Sequence, residues 1–304
     1  MLSIIICTYN REPYIFNTLS RIANNDFPAE QYEIVLVNNN STDTTEEECN
    51  RFSRQYPQVN FRYFIESAQG LSFARNRGIK EATGEILLFL DDDSFIKEKY
   101  LAHLVHQLEK HPDAMAFGGK ITPLFETGIA PKWLCKWTYS WVSAINKGNQ
   151  VVLFTGKSYP IGANMGFRKE CIQECGDFNT QLGRTKKNLL AGEEKDLFHR
   201  VKEKNYKIYY FPDIEVEHVI PPTRTTKEYI IKMGKGVGIS EQLRCRKLGK
   251  QALYVRYFSE IIKWGVSLLL WFYYGIQGKF LIGNMLILFR WHVSKGLLEK
   301  ISTF

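Results

Sequence analysis

The stretch GEILLFLDDDS, residues 84–94, sets an aliphatic run directly against three carboxylates. Side chains of a strand alternate between its two faces, so the unbroken apolar run from Ile86 to Leu90 predicts a strand covered on both sides, as in a parallel α/β sheet. Neighbouring carboxylates repel one another, so Asp91, Asp92 and Asp93 either stand in water in a solvated turn or share a cation. Mg²⁺ and Mn²⁺ are hard ions that take one or two carboxylates and leave their remaining positions to water and phosphate oxygens. A triplet placed where a buried strand emerges favours the cation.

Working outward, residues 2–7 (LSIIIC), 33–37 (EIVLV) and 60–65 (NFRYFI) repeat the same composition, with helical patterns between them near 12–24, 43–56 and 71–82. The alternation predicts an α/β fold with a Rossmann-like, mostly parallel sheet flanked by helices. Ligands of such sheets bind beyond the carboxyl ends of the strands. The four segments that follow the strands, TYNRE, NNNSTD, ESAQGLSFARNRG and DDDS, are all polar and are expected on one rim. Within the second, Ser41 and Asp43 also read as a turn leading into a helix cap. Further strands are expected near 114–121, 161–167, 207–211 and 214–218, and helices at 168–175 and 193–204.

Pro221 and Pro222 mark the expected boundary between a catalytic domain, residues 1–220, and a helical C-terminal region, residues 221–304. The formal charge of +8 divides unevenly at that point: 26 Lys and Arg stand against 28 Asp and Glu before it, and 14 against 4 after it. The basic tail is rich in apolar and aromatic residues, which suits an anionic membrane surface better than nucleic acid. The six cysteines are scattered with no CxxC pair, so neither a zinc site nor a disulfide framework is indicated, and reduced thiols in the cytoplasm are expected. LSIIICTYN is too short for a secretory signal and reads as a first strand.

Three other places carry candidate chemistry. In AGEEKDLFHRV, residues 191–201, Glu193 and Glu194 open a helix; capping explains them, and so does a general base facing the acidic triplet. His218 ends the strand EVEH as a metal ligand, a phosphate contact or a structural histidine. Arg224 follows two stiffening prolines and offers a guanidinium to phosphate, or simply a surface charge.

Taken in order, SIIICTYNRE, EIVLVNNNSTD, GLSFARNRGI, GEILLFLDDDS, IGANMGFRKE with GDFNTQLGR, GEEKDLFHRV and EVEHVIPPTR resemble the family 2 glycosyltransferases, over about residues 2–240. The resemblance implies a GT-A fold and an inverting, nucleotide-sugar-dependent transferase. It implies that Thr8 and Asn10 to Glu12 line the nucleotide pocket, and that Asn38 and Asn39 stand where an acidic residue often reads the base, with a UDP-sugar favoured. Arg75 and Asn76 are expected near the diphosphate. Asp91 and Asp93 frame a D-x-D motif, Asp92 faces ribose or metal, and Asp93 foremost, with Asp91 and His218, is expected on Mn²⁺ or Mg²⁺. Glu194 becomes the catalytic base, Arg224 a contact for the leaving group, and Asn164 part of the acceptor pocket, beside a glycan or lipid-linked acceptor of cell-surface polysaccharide synthesis.

The aromatic loop APKWLCKWTYSW offers Trp133, Trp137 and Trp141 as sugar platforms, interfacial anchors or packing. The stretch 264–291 is interrupted by Gln277, Gly278, Lys279 and Asn284, so two shorter helices lying in a membrane interface are expected rather than a span. The expected location is peripheral, on the inner face of the cell membrane, through residues 250–300. A helical hairpin packed on the catalytic domain or on a homodimer partner is the alternative. Three rival functions stand beside the transferase. A processive polysaccharide synthase wants Q-x-x-R-W, and ILFRW has Ile287 where the Gln belongs. A nucleotidyltransferase wants a glycine-rich loop after the first strand, and CTYNRE has none. A non-catalytic sugar-nucleotide-binding membrane protein would tolerate the unusual Asn38, Asn39 and Glu194.

Overall fold

The computed structural model describes residues 1–183 and 192–299, so Arg184 and Ala191 of the motifs above and Lys300 of the tail lie outside it. The described residues divide into two compact units: residues 1–124, 143–181 and 193–219 form the first, and residues 125–142, 182–183, 192 and 220–299 the second.

In the first unit, strands β1 (Leu2–Thr8), β2 (Tyr32–Asn38), β3 (Asn60–Ile65) and β4 (Ile86–Asp91) alternate with helices α1 (Glu12–Ala23), α2 (Thr45–Gln55) and α3 (Leu71–Glu81). They pair in parallel in the order β3-β2-β1-β4. The remaining strands are β5 (Ser94–Ile96), β6 (Ala114–Phe125), β7 (Val152–Leu153), β8 (Asn164–Arg168) and β9 (Lys207–Ile220), and they continue the sheet as β8-β6-β9-β5, with β7 on the side of β9. The pairings β4–β8, β6–β8 and β5–β9 are antiparallel. The unbroken parallel run therefore ends at β4, where β8 enters antiparallel. The expected pair of strands at 207–211 and 214–218 is one continuous strand, β9, which Pro212 does not break.

Alternate residues of the central strands feed two cores. Ile4, Ile6, Ile34, Leu36, Leu88 and Leu90 pack with α1, α2 and helix α4 (Tyr100–Lys110) on one face. Ile5, Val35, Val37, Leu87 and Phe89 pack with α3, α5 (Lys169–Cys175) and α6 (Glu193–Glu203) on the other. This two-sided burial is what the apolar runs require.

The second unit is built on α7 (Lys227–Leu248), α8 (Lys250–Ile276) and α9 (Phe280–Leu298), with α7 and α8 each packed on α9. Helices α7 and α9 meet through glycine: a Cβ added at Gly238 would lie 2.2 Å from the Val293 carbonyl oxygen, and one at Gly296 would lie 2.2 Å from that of Lys235. Trp133 and Trp141 are buried and pack on each other at 5.5 Å, Trp141 reaches Phe289 at 4.6 Å, and the Trp133 indole donates to the Thr225 carbonyl at 3.3 Å. Among the described residues no helix is long and apolar enough to cross a membrane.

Candidate active site

The rim beyond β1, β2 and β3 is held together by its own polar groups. Asn10 takes a left-handed backbone, φ 53°, and its side chain accepts from the Thr42 amide at 2.7 Å while its own amide donates to Ser41 Oγ at 3.0 Å. These bonds tie the β1 loop to the β2 loop. Asn38 accepts from the Ser41 amide at 2.9 Å and donates to the Tyr63 hydroxyl at 2.7 Å. Asn39 donates to the carbonyls of Glu66 and Ala68 and accepts from the Gly70 amide. Both asparagines thus use their amides to shape the β2 and β3 loops, which leaves less of them for a base than the sequence suggests. Glu12 is exposed at the start of α1, where its amide donates to Asp43 at 3.3 Å.

The acidic triplet is the turn between β4 and β5. Antiparallel pairing sets Ser94 opposite His218 on β9, and the Val219 amide donates to the Asp93 carbonyl at 2.9 Å. That register brings His218 Nε2 to 3.0 Å from Asp93 Oδ1 and 4.0 Å from Asp91 Oδ2. One ligand atom from each of Asp91, Asp93 and His218 falls within 4.8 Å of the others. Two carboxylate oxygens and an imidazole nitrogen this close fit a divalent ion. Asp92 faces elsewhere: Arg11 reaches it at 3.2 Å and reaches Asp93 at 3.5 Å. Burial pushes the Asp92 carboxyl up to about 7, Arg11 pulls against that, and the charges of Asp93 and Asp91 add to it. The Arg11 guanidinium is held above its ordinary range, chiefly by Asp92.

Arg75 on α3 organises the neighbouring corner. It is buried, donates to Glu193 at 2.9 Å, and lies 3.4 Å from Glu194 and 3.9 Å from Asp91. Burial alone would lower its pKa, but Glu194, Glu193 and Asp91 together hold it above the ordinary value. The Gly162 amide donates to Glu194 Oε1 at 3.1 Å. A Cβ at Gly162 would come within 2.1 Å of the Arg75 guanidinium and 2.6 Å of that carboxylate, so a larger residue there would displace both side chains. The capping reading explains Glu193 and Glu194 only in part, since both also face Arg75. Nothing in the sequence announces that Arg75 pairs with Glu193, or that Gly162 supplies a donor to Glu194.

The other expected residues are placed by the packing around them. Asn76 clamps Phe178, donating to its carbonyl and accepting from its amide, each at 2.9 Å. Asn164 is fully buried: it accepts from the Tyr100 hydroxyl at 2.5 Å and donates to the carbonyls of Lys120 and Ile214. Its amide joins strands. Trp133 is buried as well, its ring enclosed by the packing of the second unit, which is the packing alternative for this loop. Thr8 is buried at the end of β1. Arg224 belongs to the second unit, in the 3₁₀ turn Pro222–Thr225.

The profile described as Glycosyl transferase family 2 matches residues 3–176. The chain is 24% identical over 247 residues to the glucosyl-dolichyl phosphate glucuronosyltransferase of Haloferax volcanii, which covers 79% of this chain and 76% of that protein. In structure it resembles the mannosyltransferase PcManGT from Pyrobaculum calidifontis in complex with GDP-Man and Mn²⁺, with a TM-score of 0.63 at 18% identity, covering 99% of this chain and 88% of that one. It also resembles S. aureus TarS 1–349 in complex with UDP-GlcNAc, with a TM-score of 0.57 at 18% identity, covering 98% and 84%. With the profile spanning more than half of the chain, and a mixed sheet whose D-x-D turn faces a histidine, this protein belongs to glycosyl transferase family 2 and is a glycosyltransferase with the GT-A fold.

Proposed function

We propose that the chain is an inverting transferase that moves a sugar from a nucleoside diphosphate, UDP favoured, to a hydroxyl of a glycan or lipid-linked acceptor. The observation that carries this reading is the placement of Glu194 beside Arg75 and the Gly162 amide, in the same unit as the Asp91, Asp93 and His218 cluster. Glu194 is the general base: it takes the proton of the acceptor hydroxyl as that oxygen attacks the anomeric carbon, and the diphosphate leaves from the opposite face. Arg75 and the Gly162 amide fix the carboxylate's direction, as a positioned base requires.

Asp91, Asp93 and His218 would hold a divalent ion. When bound, such an ion supplies Lewis-acid neutralisation of charge on the departing diphosphate. A nitrogen in the ligand set suits Mn²⁺ better than Mg²⁺, whose octahedral shell is usually all oxygen. Arg11 and Asp92 line the same edge, where the guanidinium can move from carboxylate to phosphate oxygen. Arg224 is assigned to the leaving group. Residues 1–220 are assigned as the catalytic domain and 221–304 as its helical appendage. The lipid-linked acceptor, the place in polysaccharide synthesis and a location on the inner face of the cell membrane draw support from the dolichyl-linked substrate in the archaeal relative's name.

A thermal-shift panel of nucleoside diphosphates and nucleotide sugars, with and without Mn²⁺, tests the donor side, because a ligand that binds only the folded state raises the melting point by mass action. Stabilisation by a uridine nucleotide that requires Mn²⁺ is expected; no shift with any nucleotide sinks the reading. Glu194→Gln should keep the shift and lose about 10²- to 10⁴-fold in turnover. Turnover equal to the parent's would remove Glu194 from the reaction.

A further inference from the structure

Helix α8 is folded inside out. Its sheltered side carries polar groups: Arg256 and Glu260 are buried and paired at 2.7 Å, Glu241 reaches Arg256 at 3.3 Å, and Arg290 and Ser294 of α9 reach Glu260 at 3.2 and 3.0 Å. Its exposed side is a stripe of Val255, Phe258, Ile262, Leu269, Phe272 and Ile276, spaced by three, four or seven residues. Phe258, Leu269 and Ile276 are 65%, 72% and 74% exposed. A helix on the surface of a water-soluble protein has the opposite arrangement. At 27 residues α8 is about 40 Å long, so the stripe is far more than a scattered apolar surface.

We infer that this outward face of α8, continued by Phe280 and Leu281 of α9, seats in the interface of a bilayer containing anionic lipid, as a monotopic insertion rather than a span. Charge decides between lipid and a second copy of the chain. Exposed cations flank the stripe at both ends, Arg246, Lys247 and Lys250 before it and Lys279 after it. The single carboxylate of α8 and α9 is Glu260, which is buried. Anionic headgroups complement such a rim, whereas a symmetric dimer would press two cationic rims together. Turning the ion pairs inward also leaves the lipid-facing side free of formal charge, as a low-dielectric surrounding demands. The inference rests on the membrane-linked acceptor proposed above and gives that association a surface.

The test is sedimentation of the full chain with vesicles of equal parts phosphatidylcholine and phosphatidylglycerol, beside vesicles of phosphatidylcholine alone, at low salt. Retention on the anionic vesicles is expected. The double variant Phe258→Glu, Leu269→Glu should lower it by at least about tenfold, while its melting point with and without UDP and Mn²⁺ stays at the parent's value. Protein left in the supernatant with anionic vesicles overturns the inference, and so does undiminished retention of the variant. A lipid-free dimer that the same two substitutions dissolve assigns the face to a second copy and overturns it equally. A chain that sediments with vesicles but gains no stability from any nucleotide sugar would sink the transferase reading and leave this surface standing.

Discussion

Glu33 stands in β2 with no exposed surface, a carboxylate in the middle of an aliphatic sheet. Ser3 donates to it at 2.6 Å, the Thr83 amide and hydroxyl each at 2.7 Å, and Arg62 at 2.9 Å. Burial would raise its pKa, but these four donors outweigh burial and leave it below the ordinary glutamate value. A carboxylate whose pKa falls on folding contributes stability that is complete above its unfolded pKa and is lost as pH drops through the folded one. The melting point of Glu33→Gln should therefore fall well below the parent's at pH 7, and the gap should close as pH falls below about 4. A gap that stayed constant with pH would show that the charge is not what the donors stabilise. The individual acidic residues of the active site are legible in the sequence because Asp91 and Asp93 end a strand of unmistakable composition. Their partners are not: Arg11, Arg75 and Gly162 reach them from separate segments of the chain, and no local pattern records a contact made only by folding.

Among the elements, the parallel half of the sheet is legible since Ile4, Ile34 and Leu88 each belong to a run that is apolar on both faces. The half beyond β4 is harder. Residues 114–125 mix Gly118, Gly119, Lys120 and Thr122 with apolar positions, and direction is set by which strands the connections allow to meet. Helix α4 was not expected, although Leu101, Leu104 and Leu108 repeat at the helical period. The crossing of α7 with α9 depends on glycine for the closeness of two backbones. Gly238→Ala, placing a methyl 2.2 Å from the Val293 carbonyl, should destabilise the second unit by about 1–3 kcal/mol, read as a lower melting point, because the helices have to separate. A melting point unchanged from the parent's would mean that the crossing yields without strain.

For the whole molecule, the division into two compact units bears on how ligand binding and unfolding are coupled. Nucleotide and Mn²⁺ are assigned to the unit that holds Asp91, Asp93 and His218, so their free energy of binding should appear in that unit's transition alone. In calorimetry with detergent present, UDP with Mn²⁺ should move one transition upward and leave a second in place. A single transition that moves as a whole would show that the units unfold together. The charge difference between residues 1–220 and 221–304 is readable from composition. The membership of residues 125–142 in the second unit is not, because Trp133 and Trp141 pack against partners far along the chain.

The register of β5 against β9 also has a consequence for biosynthesis. Asp91 and Asp93 leave the ribosome long before His218, yet the cluster exists only once His218 lies opposite Ser94. Prematurely terminated chains that lack β9 would lack His218 and so one of the three ligand atoms of the cluster proposed for the ion. Metal uptake by a nascent chain would then report that the last strand has docked, and incomplete translation products would be silent rather than wasteful consumers of activated sugar.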